Sequence, residues 1–280
     1  MDCVLLADGR RIDVANLVGH GIDGFIVREG CNVWKIPKLY GRIQPNGTIE
    51  ADSDNELHLG HLDNEKQVYA RLQGVAGVAR CLEQTSNGIL LEYYVNGSLA
   101  DYVASKEPPS IQCRWDWVLQ ATEVIARCHR RGVLIFDVAL RNFLLANDFS
   151  LRLIDFSNSA LAPDGMDVTI SGVDGCTVPL DLLHLSNVIY SILTWRKFSI
   201  DCAFESEWPS TDQMPDLAGL DCETIIRKCW QREYKATEEL AADIQNCKTS
   251  SSPRPLNQRA QSETPPVISV QSSSLEIPPA

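Results

Sequence analysis

The segment VLIFDVALRNFLL at residues 133–145, followed by LRLIDFS at 151–157, decides how this chain folds. Each segment holds one aspartate, Asp137 or Asp155, between apolar residues, where an unpaired charge is costly. The first segment adds an amide, Asn142, five residues after its aspartate. Two carboxylates and an amide in an apolar frame predict a polar site enclosed by the protein core.

Length, charge and composition restrict the class of protein. The 280 residues, 44% of them hydrophobic, suffice for one large core or two packed lobes. A net charge of −12 argues against a partner that is nucleic acid or an anionic membrane. The ten cysteines form no C-x-x-C pair, and the first residues lack the pattern of a signal peptide. We therefore expect reduced thiols in a cytoplasmic or nuclear protein that is not secreted.

The N-terminal part shows strand patterns and one helix. Residues 10–37 alternate apolar and polar side chains with glycines between them, which predicts a small antiparallel sheet. Residues 38–61 are polar and acidic, so we expect a surface loop or insertion. The segment HLDNEKQVYARL, residues 61–72, predicts a helix with Asp63 as its N-cap. Residues 80–94 predict two strands joined by an Asn-Gly turn.

The remainder of the chain is helical until its last residues. Residues 115–132 repeat apolar side chains at helical spacing, and residues 181–195 predict an apolar helix buried on most sides. A further helix is expected over 222–230. We interpret His129 and His184, within these segments, as ordinary helix residues. From residue 248 the chain is rich in Ser and Pro, which predicts a disordered tail.

A glycine-rich loop lies inside the predicted sheet. The segment GHGIDGFI has the pattern G-x-G-x-x-G at Gly19, Gly21 and Gly24, followed by Ile26. A dinucleotide-binding fold requires a helix directly after this pattern, whereas FIVREG continues as a strand. A glycine loop between two strands lets the backbone approach phosphate groups closely.

One lysine and one glutamate are expected to meet inside the protein. On the strand NVWKIPK, Lys35 shares a face with Val33, and Lys38 beyond Pro37 is a poorer candidate. In the following helix, the charge of Glu65 heads an apolar face formed with Val68, Tyr69 and Leu72. A buried carboxylate needs a partner, and Lys35 is the available cation. The alternative is a surface lysine and a solvated glutamate.

These motifs, in this order, resemble those of the eukaryotic protein kinase domain over about residues 14–245. The helix at 181–195 is similar to the family's helix that begins with an aspartate anchoring the catalytic loop, and CETIIRKCW resembles its late helix. The chain looks most like the small single-domain kinase-like proteins of filamentous fungi. The resemblance implies an α+β, two-lobed fold. Its expected parts are a sheet-rich N-lobe over 1–94 with 38–61 as an insertion, a helical C-lobe over 95–247 and a disordered tail over 248–280.

The resemblance also implies a task for each residue of the site, with ATP and Mg²⁺ as cofactors. Asp137 takes the acceptor's proton, Lys35 held by Glu65 contacts the phosphates, and Arg141 reaches the γ-phosphate. Asn142 and Asp155 hold the metal ions. The nucleotide is bound by the glycine loop, by hydrophobic residues around the adenine ring and by the hinge: Gly19, Gly21, Gly24, Ile26, Val33, Lys35, Leu91, Glu92, Tyr94 and Leu144.

Several positions depart from the family's pattern. Ile135 and Phe136 stand where the family has His-Arg, so control by activation-loop phosphorylation is not expected. Ser157 replaces the glycine of Asp-Phe-Gly, and Asp181 follows Asp155 after only 26 residues without Ala-Pro-Glu. The expected activity is transfer of phosphate to a protein hydroxyl by a monomeric enzyme. Two alternatives remain: a pseudokinase that binds nucleotide as a scaffold, and a small-molecule phosphotransferase of kinase-like fold.

Overall fold

The structure is a computed structural model that describes residues 2–9, 17–21 and 24–251. Its strands are β1 (Asp2–Leu5), β2 (Leu17–His20), β3 (Gly24–Glu29), β4 (Asn32–Pro37), β5 (Leu39–Ile43), β6 (Ile49–Ala51), β7 (Cys81–Gln84), β8 (Ile89–Glu92), β9 (Val133–Leu134), β10 (Phe143–Leu145), β11 (Leu151–Leu153) and β12 (Ala160–Leu161). The α-helices are α1 (Asn55–Arg71), α2 (Leu99–Ser105), α3 (Ile111–Arg130), α4 (Val178–Thr194), α5 (Glu223–Trp230) and α6 (Thr237–Ser251).

A five-stranded antiparallel sheet, in the order β2-β3-β4-β8-β7, forms the centre of the N-terminal part. This sheet and the β7–β8 hairpin confirm the prediction for the described residues, while residues 10–16 and 22–23 lie outside them. The hairpin needs its glycine, because a Cβ at Gly88 would lie 2.5 Å from the carbonyl oxygen of Lys35. The register pairs Ile26 with Lys35 and Val33 with Leu91.

The expected loop over residues 38–61 was the wrong prediction. Strands β5 and β6 lie there and complete a three-stranded antiparallel sheet with β1, a strand that the sequence pattern did not predict. The sheet forms because Leu5 and Leu39 pair and are both buried. A few apolar residues therefore outweigh the polar and acidic composition of the stretch.

Helix α1 begins at Asn55 with Asp54 as its N-cap residue, so the predicted start at Asp63 is also wrong. The cause is a tertiary contact. The Asn55 side chain donates from Nδ2 to the carbonyl oxygen of Tyr40 and accepts the Tyr40 N–H at Oδ1, both at 2.9 Å. These bonds join the first turn of α1 to β5.

The C-terminal part is helical, as predicted. Helix α4 is buried along almost its whole length, and α3 packs against both α4 and α6. Helix α6 runs to Ser251, so residues 248–251 continue a helix and do not begin a disordered tail. The side chains of Leu240 and Ile244 tie this helix to the core. The rest of the expected tail, residues 252–280, lies outside the described residues.

The arrangement confirms the predicted α+β, two-lobed, kinase-like fold: an antiparallel sheet with α1 in the N-lobe and a mainly helical C-lobe. Strands β10 and β11 lie where the lobes meet, and the N–H of Ala79 donates to the carbonyl oxygen of Leu153 at 2.9 Å. None of the helices within the described ranges is long and apolar enough to cross a membrane. The nine cysteines with described side chains are all free thiols.

Candidate active site

Lys35 lies between two carboxylates at the junction of the lobes. Its Nζ is 2.6 Å from Glu65 Oε2 and 2.7 Å from Asp155 Oδ1. The side chains of Lys35 and Glu65 are 12% and 1% exposed, so the alternative of a surface lysine and a solvated glutamate is wrong. Lys38 points elsewhere, with its Nζ 5.7 Å from the centre of the Phe25 ring. Strand β4, helix α1 and the segment after β11 together build this cluster.

Burial and charge act against each other in the cluster. Burial lowers the pKa of Lys35, but the negative charges of Glu65 and Asp155 outweigh it and raise that pKa above its usual value. Burial, assisted by the charge of Asp155, raises the pKa of Glu65 in spite of Lys35. Burial acts to raise the pKa of Asp155. The charge of Lys35 and the hydrogen bonds from Lys35 and Ser157 lower this pKa by more than burial raises it, so the net shift is downward. Asp155 is therefore the carboxylate that stays ionised most firmly beside Lys35.

Asn142 connects the two aspartates of the opening motifs. Its Nδ2 donates to the carbonyl oxygen of Asp137 at 2.9 Å and to Asp137 Oδ2 at 3.0 Å. The main-chain carbonyl oxygen of Asn142 accepts the N–H of Ile154, the residue before Asp155, at 2.9 Å. Arg141 Nη2 lies 2.6 and 2.7 Å from the two carboxylate oxygens of Asp137. The structure thus brings Asp137, Arg141, Asn142 and Asp155 into one site.

The loop that carries Asp137 is held from below by α4. Asp181 accepts the N–H of Ile135 at 2.7 Å and of Phe136 at 2.6 Å. His129 Nε2 lies 2.8 Å from the same carboxylate, and His184 donates from Nδ1 to the carbonyl oxygen of Phe136 at 2.8 Å. Both histidines lie in helices, as expected, and each makes a polar contact that was not expected. Their position on apolar, buried helix faces is the signal that indicated a polar partner.

Most of the predicted nucleotide residues lie on the central sheet and on β10. Ile26 on β3 pairs with Lys35 on β4. Val33 on β4 pairs with Leu91 on β8, and both are buried. Leu144 lies on β10. In the glycine loop the N–H of Gly21 donates to the carbonyl oxygen of Gly24 at 2.8 Å. A Cβ at Gly24 would lie 2.9 Å from the carbonyl oxygen of Ile36, so this position requires glycine. The loop's Ile22 and Asp23 lie outside the described residues.

The side chains of Glu92 and Tyr94, two of the predicted hinge residues, differ in their exposure to solvent. Glu92 is exposed, while Tyr94 is buried against Ala79 and Ala146. The hydroxyl of Tyr94 accepts the N–H of Arg80 at 3.2 Å. The Tyr94 side chain therefore supports the lobe junction.

A cavity of about 520 Å³ opens beside Asp137. Its lining includes Asp137, Arg141, His184, Asn187, Lys197 and Asp201. Asn187 is buried and donates from Nδ2 to the carbonyl oxygen of Ile200 at 3.4 Å. Its Oδ1 has no hydrogen-bond partner among the described residues. The cavity has the size of a small-molecule or side-chain site next to the expected catalytic carboxylate.

Known proteins with similar sequences are protein kinases. NUAK family SNF1-like kinase 1 of Mus musculus is 24% identical over 155 residues, which are 54% of this chain. A probable inactive serine/threonine-protein kinase of Dictyostelium discoideum is 26% identical over 167 residues, 57% of this chain. Serine/threonine-protein kinase KIC1 of Saccharomyces cerevisiae is 28% identical over 167 residues, 55% of this chain. The chain contains a protein kinase-like domain.

The domain's similarity to these proteins is distant and partial. The matched residues cover 23% of the NUAK protein and 14% of each of the other two. No protein-family model matches the chain. The comparisons therefore support a kinase-like domain, and its activity must be argued from the site.

Proposed function

We propose that this protein is a protein kinase that transfers the γ-phosphate of ATP to the hydroxyl of a protein substrate. The observation that carries the proposal is Lys35 held between Glu65 and Asp155 at 2.6 and 2.7 Å. A lysine placed in this way can bind phosphate groups without a further cost of ordering. Asp137 and Asn142 complete the set of groups that phosphoryl transfer requires.

The donor set fits Mg²⁺ bound together with nucleotide. Asp155 and Asn142 offer the carboxylate and amide oxygens that Mg²⁺ prefers, and the Asp155 side chain is 32% exposed. The described residues contain no group of three or more His, Cys, Asp or Glu side chains arranged for a metal. Mg²⁺ held by two protein side chains would complete its shell with phosphate oxygens and water. When bound, Mg²⁺ neutralises charge on the phosphates.

The chain's own residues would do the remaining work by positioning. Asp137 orients the acceptor hydroxyl and takes its proton, and Asn142 fixes the Asp137 carboxylate through Oδ2. Arg141, 61% exposed, is free on its outer side to approach the transferred phosphate. Leu91, Val33, Ile26 and Leu144 would enclose the adenine ring.

A pseudokinase is the second candidate function. Arg141 lies close to both carboxylate oxygens of Asp137, where it competes with an acceptor hydroxyl. One of the similar proteins, from Dictyostelium, is named as a probable inactive kinase. On this alternative the chain binds nucleotide without transferring phosphate and acts as a scaffold.

A small-molecule phosphotransferase of kinase-like fold is the third candidate function. The short segment between Asp155 and Asp181 and the cavity beside Asp137 are its support. We favour the protein kinase because α4 with Asp181, and α5 with Cys229-Trp230, resemble helices of that family. With it we propose a monomeric, cytoplasmic or nuclear protein without nucleic-acid or membrane partners, related to the small kinase-like proteins of filamentous fungi.

Nucleotide binding is tested first by thermal unfolding with ATP, with and without Mg²⁺. We expect a stabilisation of about 2 to 3 kcal/mol at ~100 times Kd, dependent on Mg²⁺. Lys35→Met and Asp155→Asn should abolish it. Lys38→Met is the matched control, because this lysine lies three residues away and outside the cluster, and it should behave as the wild type.

Phosphate transfer to a mixture of protein substrates then separates the three candidates. Transfer to protein that is lost in Asp137→Asn supports the protein kinase. Nucleotide binding without any transfer supports the pseudokinase, and transfer only to metabolites supports the third candidate. No stabilisation at millimolar ATP would contradict all three.

A further inference from the structure

Helix α1 carries two further side chains that hold the segment following Asp155. Asn64, the residue before Glu65, donates from Nδ2 to the carbonyl oxygens of Ser159, Ser157 and Phe156. The three N···O distances are 2.8, 3.1 and 3.4 Å respectively. One amide group thus spans the backbone of four consecutive residues. Nothing in the sequence marks Asn64, because an asparagine at a helix surface has no distinctive spacing.

Arg71 makes the same kind of contact two turns further along α1. Its Nη1 donates to the carbonyl oxygens of Ala162 at 3.2 Å and Arg131 at 3.3 Å. Its Nη2 lies 3.3 Å from Asp164, whose side chain is 96% exposed, so that ion pair adds little. Residues seven apart lie on the same face of a helix. Asn64 and Arg71 therefore join one face of α1 to the start and the end of residues 156–162.

The same segment is attached to the catalytic loop on its other side. Ser159 Oγ donates to the carbonyl oxygen of Ile135 at 3.2 Å, and β12 pairs with β9 just before that loop. Apart from the exposed Asp164 pair, every acceptor in these attachments is a main-chain carbonyl oxygen. None depends on a phosphate, and Phe136 offers no positive charge to bind one.

We propose that Asn64 and Arg71 are positioning residues that fix α1 to the backbone of residues 156–162 and so keep Glu65 against Lys35 in the unphosphorylated protein. The inference rests on the proposed function and adds to it how the site is kept assembled. Glu65 is also tied to the segment directly, through the N–H of Phe156 at 3.3 Å from Oε1. Loss of the Asn64 contacts releases the helix turn that carries Glu65.

The test compares Asn64→Leu with Gln67→Leu in the full chain. Gln67 is an exposed amide on the same helix, three residues away, and serves as the matched control. Hydrogen exchange of the main-chain amides in residues 55–71 and 156–162 is measured together with phosphate transfer. We expect faster exchange in both stretches and a fall in kcat of about tenfold for Asn64→Leu, with little change in the KM for ATP. Gln67→Leu should match the wild type in both measurements.

Further variants separate positioning from simple loss of structure. Asn64→Gln keeps an amide donor and should restore part of kcat, and Arg71→Met should repeat the Asn64→Leu effects near residue 162. In the double variant with Glu65→Gln, Asn64→Leu should add little, because both act through the same ion pair. Wild-type protein treated with a phosphatase should keep its kcat.

Each outcome decides the matter. Unchanged exchange in Asn64→Leu, unchanged kcat despite faster exchange, additive loss with Glu65→Gln, or loss of wild-type activity after phosphatase treatment overturns the proposal. If the wild type transfers no phosphate under any condition, the proposed function fails. Faster exchange in Asn64→Leu, with a weaker stabilisation by Mg²⁺ and ATP, would then still support the positioning role.

Discussion

At the residue scale, Lys35 is the place where sequence reasoning was most effective. A lysine on an inward strand face and a glutamate heading an apolar helix face each needed a partner, and the structure joins them. Spacing alone could not predict the additional contact from Asp155, because 120 residues separate it from Lys35. The result is a cluster with one cation and two carboxylates whose pKa values move in opposite directions.

The ionisation of the two carboxylates should therefore affect stability in opposite directions as the pH changes. The pKa of Asp155 is lowered on folding, so its ionised form stabilises the folded state above the usual Asp value, and this is lost as the pH falls through the lowered pKa. The pKa of Glu65 is raised, so its ionisation costs stability as the pH rises from the usual Glu value through the raised one. We expect both Asp155→Asn and Glu65→Gln to lower the free energy of unfolding at pH 7, because each removes a carboxylate that pairs with the buried Lys35 cation.

Urea unfolding at pH 7 and at about pH 4, near the usual values of both groups, measures these differences. Both should shrink at the lower pH, and Asp63→Asn at an exposed site of α1 is the control. Losses that are as large at about pH 4 as at pH 7 would contradict the charge distribution described for the cluster.

At the element scale, the loop between β9 and β10, which carries Asp137, depends on α4. Asp181 supplies acceptors to two successive N–H groups, while His184 satisfies the carbonyl group between them and Asp137. The loop contains Phe136 with a φ of 66°, a left-handed conformation that costs energy in residues other than glycine. The anchoring from α4 offsets this cost.

Removal of the Asp181 carboxylate should lower the free energy of unfolding more than a substitution at the surface does. Asp181→Ala leaves two N–H groups and His129 without their acceptor, at a cost of about 3 to 5 kcal/mol. Asp181→Asn keeps the shape and one acceptor, so its loss should be smaller. Equilibrium unfolding in urea compares the two, and equal losses would show that shape alone matters.

The backbone at Phe136 gives a second prediction for this loop. Phe136→Gly and Phe136→Ala remove the same ring, but only glycine accepts a positive φ without strain. We expect the glycine variant to be more stable than the alanine variant by about 1 kcal/mol, measured by the same unfolding method. The reverse order would mean that the loop changes its conformation when the ring is lost.

At the scale of the whole molecule, the sequence predicted the two-lobed architecture and most helices, because long apolar periodicity outweighs local detail. It failed where a few residues decide. Pairing of Leu5 with Leu39 places part of the acidic stretch 38–61 in a sheet. Helix α1 begins at Asn55, eight residues before the predicted N-cap. Contacts between distant segments, such as those of Asn64 with residues 156–159, leave no local pattern and could not be predicted.

Helix α6 contributes buried apolar side chains to the fold. Leu240 and Ile244 are fully buried, so removing this helix should make the chain less stable than the full chain. A chain ending at Lys235 removes α6 and should lose several kcal/mol, since each large buried apolar side chain contributes about 2 kcal/mol. Urea unfolding of both chains provides the measurement, and equal stability would contradict the role given to α6.

The position of Phe156 has a consequence for the design of inhibitors. Its ring is fully buried and packs edge-on against Tyr69, with 5.0 Å between the ring centroids. Its main-chain N–H donates to Glu65. The next residue is Ser157, which lacks the backbone freedom of glycine and is bonded to Asp155. Compounds that gain affinity by expelling this ring must break all of these contacts. Under the proposed function, compounds that imitate adenine and leave the ring in place face no such cost, and they are the chemical class to screen first.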